Sequence, residues 1–322
     1  MKALLLAGGF GTRLRPLTYT RPKHLLPIAN RTHIEHVFDL LLRYDIREVV
    51  LTTSYLAEAF DGVVETARAA GLDVRVTHEE VALGTAGAMK HAQGEIGSAT
   101  FLALNADVLT DVDLGTLVEF HRSNEAEATI FLAPVEDPSA FGVVPTDEVG
   151  RVLDFVEKPA PGEAPTNLIN AGVYVLEPSV LDRVPPGEEW SVERAVFPQL
   201  VDDGARVFAT APSAYWMDIG TPEKYLQANL DALQGLFFHQ GAAVAHDVEM
   251  ASSATVTSSC VGPGARIEAG ASVVQSVLLP GVVISEGAAV ERCVLGEGVV
   301  VASGVHAVAR TVGDDEKVES GA

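Results

Sequence analysis

The chain has 322 residues, 48% of them hydrophobic and 20% charged, an ordinary globular composition with enough length for two domains and a large core. Its formal net charge of −22 argues against nucleic acid or an anionic membrane as partner, since both need a basic face, but not against a small phosphorylated substrate held in a local positive pocket. Two cysteines, Cys260 and Cys293, are too few for a zinc centre or a disulfide framework and fit a reducing cytoplasm. No uninterrupted apolar run reaches the length of a membrane span, and the apolar start breaks at Gly8–Gly9, unlike a signal peptide.

In chain order, Leu4–Ala7 reads as a buried strand entering a glycine-rich loop with Gly8, Gly9 and Gly11. Glycines let backbone approach a ligand closely, and consecutive N–H groups there form an anion-binding nest. Residues 1–34 contain Lys2, Arg13, Arg15, Arg21, Lys23 and Arg31 and no acid, in a chain that is acidic elsewhere. That coincidence points to a polyanion. A helix is predicted over Ile34–Tyr44, a strand over Glu48–Thr52, a helix over Ala57–Ala70, a strand over Asp73–Thr77, a helix over Thr85–Gln93 and a strand over Thr100–Leu104. Short apolar strands alternating with helices mean βαβ units and a mostly parallel sheet. Ala128–Pro134, Gly142–Pro145, Val152–Glu157 and Asn170–Leu176 then read as strands without long helices between them, a partly antiparallel extension. Val192–Val201 reads as a helix, Arg206–Ala211 as a strand, and Thr221 as the N-cap of a helix with Pro222 in its first turn.

From residue 250 the segments 250–266, 267–283, 284–300 and 301–317 align on one another at a spacing of 17 residues. Val256, Val273 and Val290 share a column, as do Val261, Leu278, Leu295 and Val312, and the glycines fall in two more: Gly264, Gly281, Gly298 and Gly270, Gly287, Gly304. Aliphatic residues about every six positions, with small residues at the corners, predict a three-sided β-solenoid. The expected organisation is a catalytic domain over 1–236, a connector over 237–249, the solenoid over 250–313 and a frayed polar tail over 314–322.

The stretch GGFGTRLRPLT…RPKHLLP resembles the signature of sugar-1-phosphate nucleotidylyltransferases. LGTAG at 83–87, NAD at 105–107, FGVV at 141–144, EKP at 157–159, NAGVYVL at 170–176 and YWMDIGTPEKYL at 215–226 agree in order, so the resemblance covers about residues 1–230. Among these enzymes the chain looks most like mannose-1-phosphate guanylyltransferases. The resemblance implies a Rossmann-like α/β fold, a mixed, mostly parallel sheet flanked by helices, followed by a C-terminal left-handed parallel β-helix. It also implies attack of a sugar-1-phosphate oxygen on the α-phosphorus of a nucleoside triphosphate, most readily GTP, with release of pyrophosphate.

That chemistry needs two anions held in line and their charge neutralised. By the same resemblance Arg13 clamps the distal phosphates and Lys23 sits nearer the α-phosphate, with Leu6, Ala7, Gly8, Gly9, Gly11, Thr12, Gly84 and Thr85 completing the nucleotide site. Asp107 and Asp218 hold Mg²⁺, a hard cation that shares its shell with substrate phosphates. Gly142, Glu157, Lys158, Asn170 and Gly172 border the sugar phosphate. Ala106 departs from the family's usual glycine, and a positive φ there would strain it. His24 and His33 read as structural, because an attacking phosphate needs no base. The alternatives are a glucose-1-phosphate thymidylyl- or uridylyltransferase, a guanylyltransferase for a cyclitol phosphate, and a non-catalytic regulatory paralogue that binds nucleotide sugar. The partners expected are the triphosphate and sugar phosphate alone, with no nucleic acid and no membrane, in a cytoplasmic homo-oligomer assembled through the solenoid.

Overall fold

The computed structural model describes residues 1–238 and 241–319. The chain packs as two compact units, neither continuous in sequence: Met1–Gly9 with Val37–Trp216, and Phe10–His36 with Met217–Ala322. Residues 10–36 and 217–236 of the expected catalytic domain thus pack in the unit that carries the solenoid.

The first unit is built on a nine-stranded sheet among the described residues. Strands β1 (Lys2–Leu6), β2 (Glu48–Thr53), β3 (Asp73–His78) and β4 (Phe101–Asn105) are parallel, with β1 between β2 and β4 and β3 outside β2. Strands β5 (Ala128–Pro134), β6 (Gly142–Val143), β7 (Val156–Glu157), β8 (Leu168–Leu176) and β9 (Val207–Thr210) extend it. β8 runs antiparallel between β4 and β5, and β9 lies parallel to β5. Helices cover the sheet, which is why Ala3, Leu4, Leu5 and Phe101–Ala103 are fully buried without polar alternation. The register of β8 on β5 shifts between Asn170 and Tyr174, and Gly172 in that bulge has φ +73°. Bulges of this kind re-aim side chains next to ligand sites.

Several segments differ from the sequence reading, and the strand expected over Val152–Glu157 is confined to Val156–Glu157. Leu114–Ser123 is a helix, capped by Asp113, whose side chain accepts from Thr116 N at 2.9 Å. Gly115 weakens its helical signal, and burial of Leu114, Leu117 and His121 overrides that propensity. The expected helix over Val192–Val201 begins as a π-turn, Val192–Val196, before an α-helix over Phe197–Asp202. Single π-turns are rare and cluster at functional sites.

The second unit holds the solenoid, a three-faced parallel β-helix consistent with the left-handed one that the resemblance implies. One face stacks Glu249–Met250, Arg266–Ile267, Val283–Ile284, Val300–Val301 and Lys317–Val318. The other faces stack Thr255–Thr257 through His306–Val308 and Cys260–Val261 through Thr311–Val312. Every pairing keeps the 17-residue register, so Val261, Leu278, Leu295 and Val312 form one buried column and Ile267, Ile284, Val301 and Val318 another. A side-chain ladder runs beside them: Ser259 Oγ accepts from Ser276 N, and Ser276 Oγ accepts from Cys293 N, each at 3.0 Å. Burial pushes the Cys260 thiol up to about 11, although a backbone hydrogen bond pulls it back a little. The solenoid continues past its expected end at residue 313. Asp314 lies in the last coil and Val318 is 1% exposed in its final strand, while residues 320–322 lie outside the described residues. Among the described residues no helix is long and apolar enough to cross a membrane.

Ile284 is fully buried in the middle of its column. Replacing it by Ala is expected to cost about 2–5 kcal/mol, the usual range for an aliphatic truncation that leaves a cavity. Urea unfolding followed by far-UV circular dichroism checks this; a shift well under 1 kcal/mol would mean that the coils do not share a packed core.

Candidate functional site

In the first unit, β1 delivers the chain to the carboxyl end of the parallel strands, where open α/β sheets place ligands. Leu6 and Ala7 are pinned there: Leu6 O accepts from Ala106 N at 3.0 Å and Ala7 N donates to Thr52 O at 3.0 Å. Gly8 O accepts from Ser54 Oγ at 2.5 Å, and a Cβ on Gly8 would lie 3.2 Å from that oxygen. Gly9 is exposed. Beside Gly8 stands Glu79, 3% exposed. Its Oε2 accepts from Leu83 N at 3.0 Å, whereas its buried Oε1 has no hydrogen-bond partner among the described residues and would be 3.4 Å from a Gly8 Cβ. Burial raises this carboxyl above the usual range, opposed by the bond from Leu83.

The Leu83–Gly87 segment is held by the chain around Trp190. Ala86 N and Gly87 N donate to Trp190 O at 2.9 and 3.2 Å, and Trp190 N donates to Leu83 O at 2.9 Å. Gly84 has φ +68°, and a Cβ on it would sit 2.6 Å from Trp190 O, so only glycine fits. The Thr85 hydroxyl donates to Glu193 Oε2 at 2.7 Å and accepts from Val192 N at 2.8 Å. Its side chain is therefore committed within the protein, and backbone is what this segment offers a ligand. Glu193 also accepts from Ser191 Oγ at 2.7 Å and from Tyr174 OH at 3.4 Å. Burial, with Glu193 beside it, holds Tyr174 protonated, as a donor must be. Tyr174 OH in turn accepts from Asn170 Nδ2 at 2.8 Å, and Asn170 Oδ1 accepts from Gly172 N at 3.0 Å. The π-turn thus links Thr85 to Asn170 and Gly172 through three side chains.

Among the residues expected to border a sugar phosphate, Glu157 is 3.9 Å from Lys158 Nζ and 3.5 Å from Arg194 Nε. A Cβ on Gly142 would meet the Phe155 ring at 2.7 Å and Glu157 Oε2 at 3.0 Å, so the glycine lets the carboxylate approach. Lys158 has φ +51° although it precedes Pro159, where extended backbone is the norm. A non-glycine residue so placed costs about 1–3 kcal/mol, and such outliers persist mainly at functional sites. Gly172, at φ +73°, leaves room for Asn105, whose Nδ2 would be 2.8 Å from an added Cβ. Asp107 sits half-buried in the turn after β4. Ala106 is fully buried and is not among the positive-φ residues, so the feared strain is absent.

In the second unit, Gly11 is left-handed, at φ +62°, against Thr18 and Lys23: an added Cβ would be 3.1 Å from Lys23 Cβ. Its carbonyl accepts from Thr18 Oγ1 at 2.8 Å. Thr12 and Arg13 are exposed in the short 3₁₀ turn that follows. Asp218 and Arg13 converge on Gly220. A Cβ there would lie 3.0 Å from Arg13 Nη2 and 3.0 Å from Asp218 Oδ2. Asp218 Oδ1 is ion-paired with Lys224 in the first turn of the Pro222–Leu233 helix, whose N-cap Thr221 accepts from Lys224 N. His24 and His33 are each 1% exposed.

Among the described residues no group of three or more His, Cys, Asp or Glu forms a many-toothed metal cage. Mg²⁺ does not need one, because it takes one or two carboxylates together with phosphates and water. Asp107, half-buried after β4, and Asp218, ion-paired with Lys224, are each a carboxylate of the kind that would contribute one such oxygen. Asn105 Oδ1, two positions before Asp107, is a buried acceptor without a partner, so the donor chemistry suits a hard cation.

Sequence reasoning missed Glu79, Glu193, Arg194 and Lys224. Glu79 stood in the acidic pair just before LGTAG, where a carboxylate beside a glycine segment was a usable signal. Glu193 and Arg194 lie on a π-turn and act through contacts distant in sequence, which leave no periodic trace, while Lys224 pairs with Asp218 six positions earlier within the 215–226 segment.

A family model described as nucleotidyl transferase matches residues 2–235, and one described as GlmU-like, C-terminal hexapeptide matches residues 238–320. Mannose-1-phosphate guanylyltransferase of Mycobacterium tuberculosis is 41% identical over 277 residues, covering 83% of this chain and 77% of that protein. The catalytic subunit beta of mannose-1-phosphate guanylyltransferase from Dictyostelium discoideum is 39% identical over 229 residues, covering 70% and 63%. UTP–glucose-1-phosphate uridylyltransferase of Synechocystis is 38% identical over 241 residues, covering 71% and 62%. Among solved structures, HddC from Yersinia pseudotuberculosis complexed with GMP-PN aligns with TM-score 0.61 and 28% identity over 71% of this chain and 97% of that one. The Arg13, Asp107, Lys158 and Asp218 positions sit inside the matched region, and the chain belongs to the nucleotidyl transferase family.

Proposed function

We propose that this chain is a sugar-1-phosphate guanylyltransferase that joins the guanylyl group of GTP to mannose-1-phosphate and releases pyrophosphate. The observation that carries this reading is the run of relatives, 37–41% identical, that are named mannose-1-phosphate guanylyltransferases. A sugar-phosphate oxygen bonds to the α-phosphorus as the bond to the β-phosphate oxygen breaks. Arg13 orients the distal phosphates with its paired donors, and Lys23 places a compact charge by the α-phosphate. Lys158 holds the sugar phosphate, and Glu157 accepts from sugar hydroxyls. Asp107 and Asp218 would hold Mg²⁺, which when bound neutralises charge on the triphosphate. Cytoplasmic location and a homo-oligomer belong to the same reading.

Glu79 supports guanine. Only guanine presents two adjacent donors, N1–H and the N2 amino group, and a carboxylate with a free oxygen complements that edge. Uracil and thymine present one donor between two acceptors. The uridylyl alternative keeps some support from the Synechocystis relative.

A panel of four triphosphates against mannose-, glucose- and N-acetylglucosamine-1-phosphate, read by pyrophosphate release, should give GTP with mannose-1-phosphate the highest kcat/KM and lose activity in EDTA. No release from any pair would overturn the reading. Glu79→Gln should lower kcat/KM for GTP relative to UTP by about a hundredfold, since with its amide oxygen held by Leu83 N it would turn a donor toward the base's donor pair. An unchanged ratio would remove Glu79 from base recognition. Gly220→Ala, by pushing Arg13 and Asp218 apart, should lower kcat by about a hundredfold or more with little change in melting temperature; wild-type kcat would separate that cluster from the chemistry.

A further inference from the structure

The signature loop between Arg13 and Lys23 has little regular structure of its own. Two 3₁₀ turns, Thr12–Leu14 and Lys23–Leu25, flank a run of turns and bends. Its middle is gripped instead by the last coils of the solenoid. Arg21 Nη2 donates to Asp314 Oδ2 and to Glu297 Oε2, each at 2.8 Å. Thr20 Oγ1 donates to the same Asp314 Oδ2 at 2.5 Å. Asp314 is itself fixed in its coil, because its Oδ1 accepts from Glu297 N at 2.8 Å. The Arg21 and Asp314 side chains are 18% and 12% exposed. Next to them, a Cβ on Gly313 would lie 3.1 Å from Pro16 Cβ, so the coil also packs against the start of the loop.

The 17-residue register shows that these acids are placed for this contact. Glu297 and Asp314 share a column whose earlier members are Pro263 and Pro280. In that column acids appear only in the last two coils. Stacked in register on parallel coils, two carboxylates repel and destabilise the stack unless a cation bridges them. Arg21 is that cation. Burial alone would raise the Asp314 carboxyl, but bonds from Thr20 and Glu297 N–H and the charge of Arg21 bring it below its ordinary value.

We propose that Asp314, with Glu297, is a positioning element for the nucleotidyl transfer reaction: through Arg21 and Thr20 the final solenoid coil sets the loop that presents Arg13 and Lys23 to a polyphosphate. The solenoid is then an intramolecular brace on the phosphate site, whatever else it does. This rests on the reading of that loop as the triphosphate holder, and not on the identity of the base or sugar.

The test uses the full chain. Inorganic pyrophosphate is titrated into wild type and variants by calorimetry, and KM for triphosphate and sugar phosphate are measured separately. Asp314→Asn should weaken pyrophosphate binding and raise KM for the triphosphate by about tenfold, leaving KM for the sugar phosphate within about twofold. The charge-reversed pair Arg21→Asp with Asp314→Arg, which can still bridge to Glu297, should recover most of the loss. Equal pyrophosphate affinity in wild type and Asp314→Asn would overturn the proposal. So would a fall in melting temperature or kcat with both KM values unchanged, or a reversed pair no better than the single variant. Wild type that binds pyrophosphate but not GTP would overturn the guanosine reading and leave this test intact. Wild type that binds neither would overturn this proposal as well.

Discussion

An acidic chain that must hold a triphosphate has to keep certain cations from its own carboxylates, and much of this structure follows from that constraint. With 44 acids against 22 bases, any exposed arginine has many possible partners. Residues 1–34 answer this by excluding acids locally. The basic residues within that stretch then divide by role. Arg21 is neutralised by Asp314 and Glu297, Arg31 lies 3.5 Å from Glu35, and Arg15 sits over the Tyr19 ring at 5.1 Å. Arg13 stays exposed beside Gly220. A basic cluster in the sequence is therefore not a set of equivalent phosphate ligands. Some of its charges build the loop that carries the others.

Glycine is the second means of control. Gly84, Gly142, Gly172 and Gly220 each sit where an added Cβ would meet a neighbour at 3.0 Å or less. The neighbours are Trp190 backbone, Phe155 and Glu157, Asn105, and the Arg13–Asp218 pair. Four glycines thus bring together groups distant in sequence, and all four stand in motifs singled out from sequence alone. The strain at Lys158 points the same way, since an unfavourable φ before proline is kept where it aims a charge.

Much of the fold was legible because its signals are local. Apolar strands alternating with helices announced the parallel half of the sheet, and the 17-residue spacing announced the solenoid down to its columns. The signature segments located most of the candidate site. What stayed hidden depends on tertiary contact. The Leu114–Ser123 helix is stabilised by burial against its weak propensity. The hydrogen-bonded chain from Thr85 through Glu193 and Tyr174 to Asn170 passes through a π-turn. Asp314 looked like the start of a frayed tail, because nothing nearby in sequence reveals that its partner is Arg21. The serine and cysteine ladder of the solenoid was likewise invisible, being a matter of stacked coils.

The central claim is that the loop of Arg13 and Lys23 grips the phosphates beyond the α-position. Equilibrium binding of GTP, GDP and GMP to wild type and Arg13→Gln tests it most directly. The account predicts that affinity rises steeply from GMP to GTP in wild type and that Arg13→Gln flattens the series, weakening GTP most and GMP least. Similar affinities for all three nucleotides in wild type, or an equal loss for all three in the variant, would contradict it.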